Sequence, residues 1–243
     1  MCFNISLTHP GQDVTDRFDA NFDDGISPIY HSSAFHLPLH PVICIDDPHR
    51  IRFARWGLVP RWIRDEKGAD GIRFNTLNAR SETIFEKPSF RYAIMRNRCL
   101  IPVDGFFEFR EVNGKKFPYH IRMKDGRLFS FAGIYEDWKT PEGRLERTFS
   151  IVTAEANSLM AVIHNTKKRM PVILTKQEEG PWLDPDSSRK DLEIMMKPYV
   201  GNDLEAFPVS RLLTDRDSDT NIPEVLERTE YEELNFLDLD SFA

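Results

Sequence analysis

Long hydrophobic runs are missing from this chain. No stretch approaches the roughly 18 consecutive apolar residues that a membrane-crossing helix needs, so no membrane partner is expected. The opening segment MCFNISLTHP has neither a basic n-region nor an apolar h-region, which argues against a secretory signal. Cysteine is scarce: Cys2, Cys44 and Cys99 are the only three, and no C-x-x-C pair occurs. That excludes a disulfide scaffold and a cysteine-rich zinc site and fits a reducing cytoplasm. Neither a metal nor a cofactor is expected. Internal repeats and low-complexity tracts are absent as well.

What is present is apolar bulk. The chain has 243 residues, with 18 Phe and 4 Trp, enough for a sizeable core and too much for a disordered chain. This length suits one domain spanning 1–243, ending in an acidic segment from about residue 211, and a monomer is expected. The net charge of −7 argues against nucleic acid, but its distribution does not. Residues 51–127 carry 17 basic and 9 acidic side chains, whereas residues 176–243 carry 7 and 18. A basic middle in an acidic chain can hold a polyanion locally, because charges beyond about 8–10 Å are screened. A solvated Lys/Arg surface is the plainer account of the same numbers.

Short apolar runs between turn signals predict strands at Pro41–Ile45, Arg52–Val59, Cys99–Val103, Pro118–Met123, Leu128–Ile134, Thr148–Thr153 and Met170–Leu174. Helical patterns are fewer: Ser81–Ile84 into Ser89–Met95, Ala156–Ile163, Gln177–Leu183, Asp191–Tyr199 and Pro223–Leu234. Leu213–Thr220 reads as a loop. Strands and helices do not alternate regularly. The expected class is therefore α+β, with a mostly antiparallel, barrel-like sheet core and short flanking helices.

Cys2 is the most informative residue. Loss of the initiator Met would leave a free α-amine and a thiol on adjacent carbons. Their reference pKa values, about 7.7–8.0 and about 8.5, leave both partly nucleophilic near neutral pH. Such a pair suits attack on an aldehyde: the amine forms an imine and the thiol closes a five-membered thiazolidine. The same residue could instead be a thiol nucleophile with its own amine as base, as in amide hydrolases. It could also be an incidental small residue beside a start codon.

Other polar residues stand in apolar surroundings. The run Asn75–Thr83 predicts a helix entry. Arg80 in its first turn, where the dipole disfavours a cation, makes sense if a phosphate sits there. Glu108 lies among Phe106, Phe107 and Phe109, which would raise its pKa and suit a general acid, unless it lies on the wet face of a strand. His164 ends a helical stretch before Lys167, Lys168 and Arg169, which favour its neutral form and attract phosphate. Trp56 and Trp62 interleave with Arg55 and Arg61, a pattern that suits stacking of unpaired bases; Trp56 is the core-like one.

These residues resemble the SRAP family (SOS-response-associated peptidase), proteins that crosslink to abasic sites in single-stranded DNA. The matching pieces are Met1-Cys2, Trp56–Trp62 (WGLVPRW), Leu77–Thr83 (LNARSET), Asp104–Phe109 (DGFFEF), Phe131–Ile134, Ile151–Thr153, Ile163-His164 with Arg169–Leu174, and Pro208–Ser210, in family order over residues 1–210. The resemblance implies that Cys2 forms the thiazolidine with the ring-opened sugar aldehyde. It implies that Asn78 orients the Cys amine and sugar, and that Arg80 binds phosphate. Glu108 would exchange protons during imine formation and take part in Met removal. His164 would assist ring opening, and Trp62 would wedge against the base stack. Peptidase and lyase-like character come with the family. Two departures stand out. Phe3 and Asn4 follow Cys2 where the family has Gly-Arg. Arg169 stands five positions after His164 where H-x-R-M-P is usual, an insertion that brings Lys167 and Lys168 as substitute phosphate contacts. The function expected is an abasic-site sensor on single-stranded DNA. An N-terminal-cysteine amide hydrolase and a non-covalent single-strand binding module are the competing readings.

Overall fold

The computed structural model describes residues 2–22, 25–215 and 218–234. Its strands are β1 (Asn4–Leu7), β2 (Ile29–Ser33), β3 (Leu39–Cys44), β4 (Asp47–Trp56), β5 (Asn78–Arg80), β6 (Arg98–Val103), β7 (Gly105–Val112), β8 (Lys115–Met123), β9 (Phe129–Lys139), β10 (Leu145–Glu155), β11 (Arg169–Pro171), β12 (Ile173–Leu174) and β13 (Leu204–Pro208). Its α-helices are α1 (Gly11–Phe18), α2 (Glu66–Arg73), α3 (Ala93–Arg96), α4 (Ser158–Ile163), α5 (Lys176–Leu183) and α6 (Arg189–Met195). The fold is α+β. Strands β10, β4, β3, β6 and β9 close on themselves, because β10 pairs with both β4 and β9. The result is a five-stranded barrel with β11, β5 and β12 attached. A second sheet runs β13-β8-β7-β1-β2. Among the described strands the pairings are antiparallel except those of β10 with β4 and β5, and an isolated bridge from Asn21 to Arg50 is also parallel. No helix among the described residues is long and apolar enough to cross a membrane.

Closure removes the exposed edges that an open sheet would leave. It also explains the apolar runs: the inner residues Val42, Ala54, Trp56, Cys99, Ile101, Phe131, Phe149 and Ile151 are buried together. Trp56 stacks on Phe149 at 5.7 Å between centroids, and its indole N–H donates to the Leu77 carbonyl at 2.8 Å. A second apolar layer outside the barrel holds α1, α3, α5 and α6, while α4 packs into the first and α2 into a small separate cluster with Val59 and Trp138. Arg98, fully buried, donates to the carbonyls of Ile94, Trp182 and Asp184, tying α3 and the end of α5 to β6.

The chain passes from barrel to second sheet at one residue, Asp104, between β6 and β7. The Asp104 carboxylate accepts from Ser6 Oγ at 2.7 Å, and from Thr8 Oγ1 and the Thr8 backbone N–H at 2.5 Å each. These bonds hold its pKa below the usual carboxylate range although burial alone would raise it. They clamp β1 onto β7 in the register Asn4 to Phe107, Ile5 to Phe106 and Ser6 to Gly105. His120 of β8 packs over Gly105; a Cβ there would lie 2.1 Å from its Nε2. Only glycine admits that approach.

Three expectations from the sequence are corrected. The Asn78–Arg80 segment is a strand, not a helix entry: parallel pairing to Ile151–Thr153 satisfies its backbone, and residues 81–92 are turns until α3 begins. The Pro223–Leu234 pattern yields two 3₁₀ turns, Pro223–Leu226 and Glu232–Leu234, which are too short and too separated for one helix. The Met170–Leu174 strand divides into β11, paired with β10, and β12, paired with β9. The remaining strand predictions overlap β3, β4, β6, β8, β9 and β10; β4, β8, β9 and β10 extend three to five residues beyond the predicted bounds at one end, and β4 ends three residues before the predicted Val59.

Candidate functional site

The clamp at Asp104 decides where the N-terminus goes. Carrying the β1–β7 register two residues outward sets residue 2 at the level of Glu108 and Phe109. Cys2 is fully buried there. Burial pushes its thiol far above the ordinary range, and the Glu108 carboxyl adds to that. The thiol is therefore S–H, not thiolate, with the Asn4 carbonyl as a distant acceptor at 3.9 Å.

β5 brings the second group. Asn78 Nδ2 donates to the Cys2 carbonyl at 2.9 Å. Among the described residues nothing donates to its buried Oδ1, which is an acceptor in waiting beside Cys2. Arg80 lies two residues on, hence on the same face of the strand, and is exposed at its end. The reason for its position is thus strand alternation, not a helix N-terminus.

β7 and α4 bring the third and fourth. Glu108 is buried, and burial pushes its carboxyl up to about 7. Its Oε1 lies 3.6 Å from Nδ1 of His164, the C-cap of α4. That Nδ1 donates to the Arg169 carbonyl at 2.9 Å, which leaves Nε2 as the ring's acceptor. Burial, with the charges of Arg169 and Lys167 adding, pulls His164 down to about 4. Near neutral pH the facing pair is therefore a half-protonated carboxyl and a neutral imidazole, not an ion pair. β7 is fastened to the end of α4 by Asn165, which exchanges hydrogen bonds with Glu111 backbone at 2.8 and 3.0 Å, and by Arg110, which donates to the Val162 carbonyl. Cys2 ahead of β1, Asn78 of β5, Glu108 of β7 and His164 at the end of α4 thus meet.

The other predicted residues divide. Lys167 and Lys168 are exposed in the turn after His164, with Lys168 in the left-handed region at φ 50°. Trp62 is 46% exposed in the turn after Pro60. Arg169 is different. It is buried, and its guanidinium is occupied by Glu82 at 2.5 and 3.0 Å and by the Thr153 carbonyl at 2.7 Å. It is a fastening between β11, β10 and the turn after β5, not a cation presented to solvent. One surface feature escaped the sequence reading: Phe35, 56% exposed, packs against Phe3 with centroids 4.9 Å apart, next to Cys2. A phenylalanine in the single 3₁₀ turn Ala34–His36 carries no periodic signal, so only the fold reveals it.

The SOS response associated peptidase (SRAP) family model matches residues 1–215. The chain belongs to the SRAP family. It is 39% identical over 93% of its length to the abasic site processing protein YoqW of Bacillus subtilis, 99% of which is covered. It is 32% identical to the abasic site processing protein HMCES of Rattus norvegicus over 74% of this chain and 58% of that one. An X-ray structure of a protein from Bacteroides thetaiotaomicron superposes with a TM-score of 0.89 at 38% identity, covering 94% of this chain and all of the other. A second, from Bordetella bronchiseptica, gives 0.72 at 25% identity over 86% of this chain and all of the other. The matched region of this SRAP chain contains all four convergent residues.

Proposed function

We propose that this SRAP protein processes abasic sites in single-stranded DNA by forming a thiazolidine crosslink through Cys2 after loss of Met1. The observation that carries the reading is the meeting of a residue-2 cysteine with a buried carboxyl poised near pH 7, a neutral imidazole and an amide with an open acceptor. Similarity to proteins named for abasic-site processing supports the substrate.

Hydrolysis of the Met1–Cys2 peptide bond consumes one water and frees the α-amine. Ring opening of the abasic deoxyribose moves the proton of the C1′ hydroxyl to the ring oxygen. His164 Nε2 is the acceptor suited to that transfer. The amine, oriented by Asn78, adds to C1′, and Glu108 protonates the carbinolamine hydroxyl, which leaves as water. The Cys2 sulfur then adds to the same carbon of the iminium, the nitrogen keeps its one proton, and the thiol proton goes to the Glu108 carboxylate, which restores the acid spent on the departing water. Aldehyde and cysteine have become thiazolidine and one water. The thiol enters as S–H beside the Glu108 carboxyl, so its closure onto the iminium is coupled to loss of that proton, and its pKa is raised by burial. That raised pKa disfavours the thiolate that trans-acting amide hydrolysis would need.

Arg80, Lys167 and Lys168 supply exposed positive charge for phosphates, and Trp62 and Phe35 supply exposed rings for bases flanking the lesion. Incubation with an abasic single-stranded oligonucleotide tests the proposal: wild type gives a gel-stable complex and Cys2→Ser does not. Crosslinking by Cys2→Ser at the wild-type rate would contradict it.

A further inference from the structure

Two segments far apart in sequence meet at the first strand. His31 of β2 is buried, with its ring edge-on to Phe107 at 5.5 Å and 82°. Its Nε2 lies 2.9 Å from Asn4 Oδ1, and its Nδ1 lies 2.7 Å from Thr220 Oγ1. Asn221 Oδ1 accepts from the backbone N–H groups of Tyr30 and His31 at 2.7 and 3.2 Å. Burial holds the imidazole neutral, with His36 adding, at a pKa of about 4. A neutral ring facing an acceptor at Nε2 carries its proton there, so Nδ1 accepts from the Thr220 hydroxyl. The bonds therefore run in one direction, from Thr220 to His31 to Asn4, and a chain of this kind polarises itself.

Asn4 is the first residue of the β1 ladder, paired with Ser33 and Phe107. It stands two residues from Cys2 and its carbonyl faces the Cys2 thiol at 3.9 Å, while the Phe3 carbonyl between them accepts from the Ala34 backbone N–H at 2.8 Å. Thr220 and Asn221 lie beyond the family match, which ends at residue 215, in the strongly acidic last part of the chain. A segment outside the family-wide region is thus bonded, through one histidine, to a residue whose carbonyl faces the Cys2 thiol.

We propose that Thr220, His31 and Asn4 form a positioning column through which the C-terminal segment places the amine and thiol of Cys2 for ring closure; this rests on the crosslinking reading above. Amine and sulfur must reach the same carbon, and reacting atoms need to approach to about 3–3.5 Å before bonds form. A column that fixes Asn4 narrows the arc over which Cys2 swings.

The test compares Thr220→Val, which keeps the shape and removes the hydroxyl, with Thr220→Ser, which keeps the hydroxyl. The rate is read on a single-stranded abasic oligonucleotide at saturating protein. Affinity is read on the same strand with a tetrahydrofuran spacer, which has no aldehyde. Thr220→Val lowers the maximal crosslinking rate about three- to tenfold, the scale of one lost hydrogen bond, leaves spacer affinity unchanged, and Thr220→Ser restores the rate. Asn4→Ala slows the reaction similarly, and the double variant Thr220→Val/Asn4→Ala is no slower than the slower single one. A wild-type rate in Thr220→Val, or equal loss of rate and affinity, would overturn the column while leaving wild-type crosslinking intact. Were Thr220→Val unable to fold, a wild-type rate in Asn4→Ala would overturn it equally. Absence of any crosslink in wild type would sink the crosslinking reading, and the column with it.

Discussion

Glu108 is where chemistry and stability oppose each other. Its carboxyl titrates near 7 in the fold against an ordinary 4.5, because it is buried. The folded state therefore keeps a proton that the unfolded chain releases between about pH 4.5 and 7. Stability falls as pH rises through that window, by up to about 3 kcal/mol. Glu108→Gln removes this loss, so its thermal midpoint at pH 8 exceeds that of wild type, while below pH 4.5 the two converge; thermal melts across pH check it. The same substitution removes the acid that expels water from the carbinolamine. Crosslinking by wild type falls above about pH 7 as the carboxyl ionises. Glu108→Gln lacks that limb and is slower at the optimum by roughly 10²–10⁴-fold, measured by time courses across pH. His164→Ala slows ring opening without abolishing crosslinking, and the double variant is less than multiplicatively impaired if both groups serve one proton path. Glu108 and His164 were legible as single residues, one acid among phenylalanines and one imidazole before three cations. Their 3.6 Å meeting was not, because it depends on how α4 is fastened to β7.

Elements, not loops, hold the site, and the contacts that align them are the sensitive ones. Gly105→Ala would drive a methyl group into His120 and to 2.9 Å from Ser6 Oγ, in the clamp that joins β1 to β7. Overpacking of this kind costs about 1–3 kcal/mol or more. Denaturant midpoints should fall accordingly, and crosslinking should fall with them because Cys2 loses its register. Arg169→Ala breaks the Glu82 and Thr153 contacts and lowers stability by about 1–3 kcal/mol, discounted because Glu82 is partly exposed. The barrel strands were readable because inner residues on both sides give continuous apolar runs. Arg80 reads as the first turn of a helix in the sequence, whereas it ends the strand β5. Asn and Ser/Thr are cap-forming residues, and three residues paired in parallel to a distant strand have no local signature that separates them from a helix entry. The short strands β1, β2 and β13 were missed for the same reason: their pairing partners lie far away in sequence.

Across the whole molecule, charge is segregated, with the basic residues concentrated in 51–127 and the acidic ones in 176–243. Affinity for single strands should therefore fall as salt rises, with a log–log slope of about −0.7 per phosphate contacted. Arg80→Ala makes that slope shallower by about one contact with stability unchanged. Arg169→Ala lowers stability without that change in slope, and the contrast separates a presented cation from a fastening one. The acidic end, which had no assignable role in the sequence, contributes Thr220 and Asn221 to the face that carries Cys2. The most direct test of the account is the intact mass of the complex formed with an abasic single-stranded oligonucleotide, without borohydride. The account predicts one adduct, weighing the protein without Met1 plus the oligonucleotide minus one water, with the modification on Cys2. An adduct that appears only after borohydride reduction, that retains Met1, or that maps to another residue would contradict it.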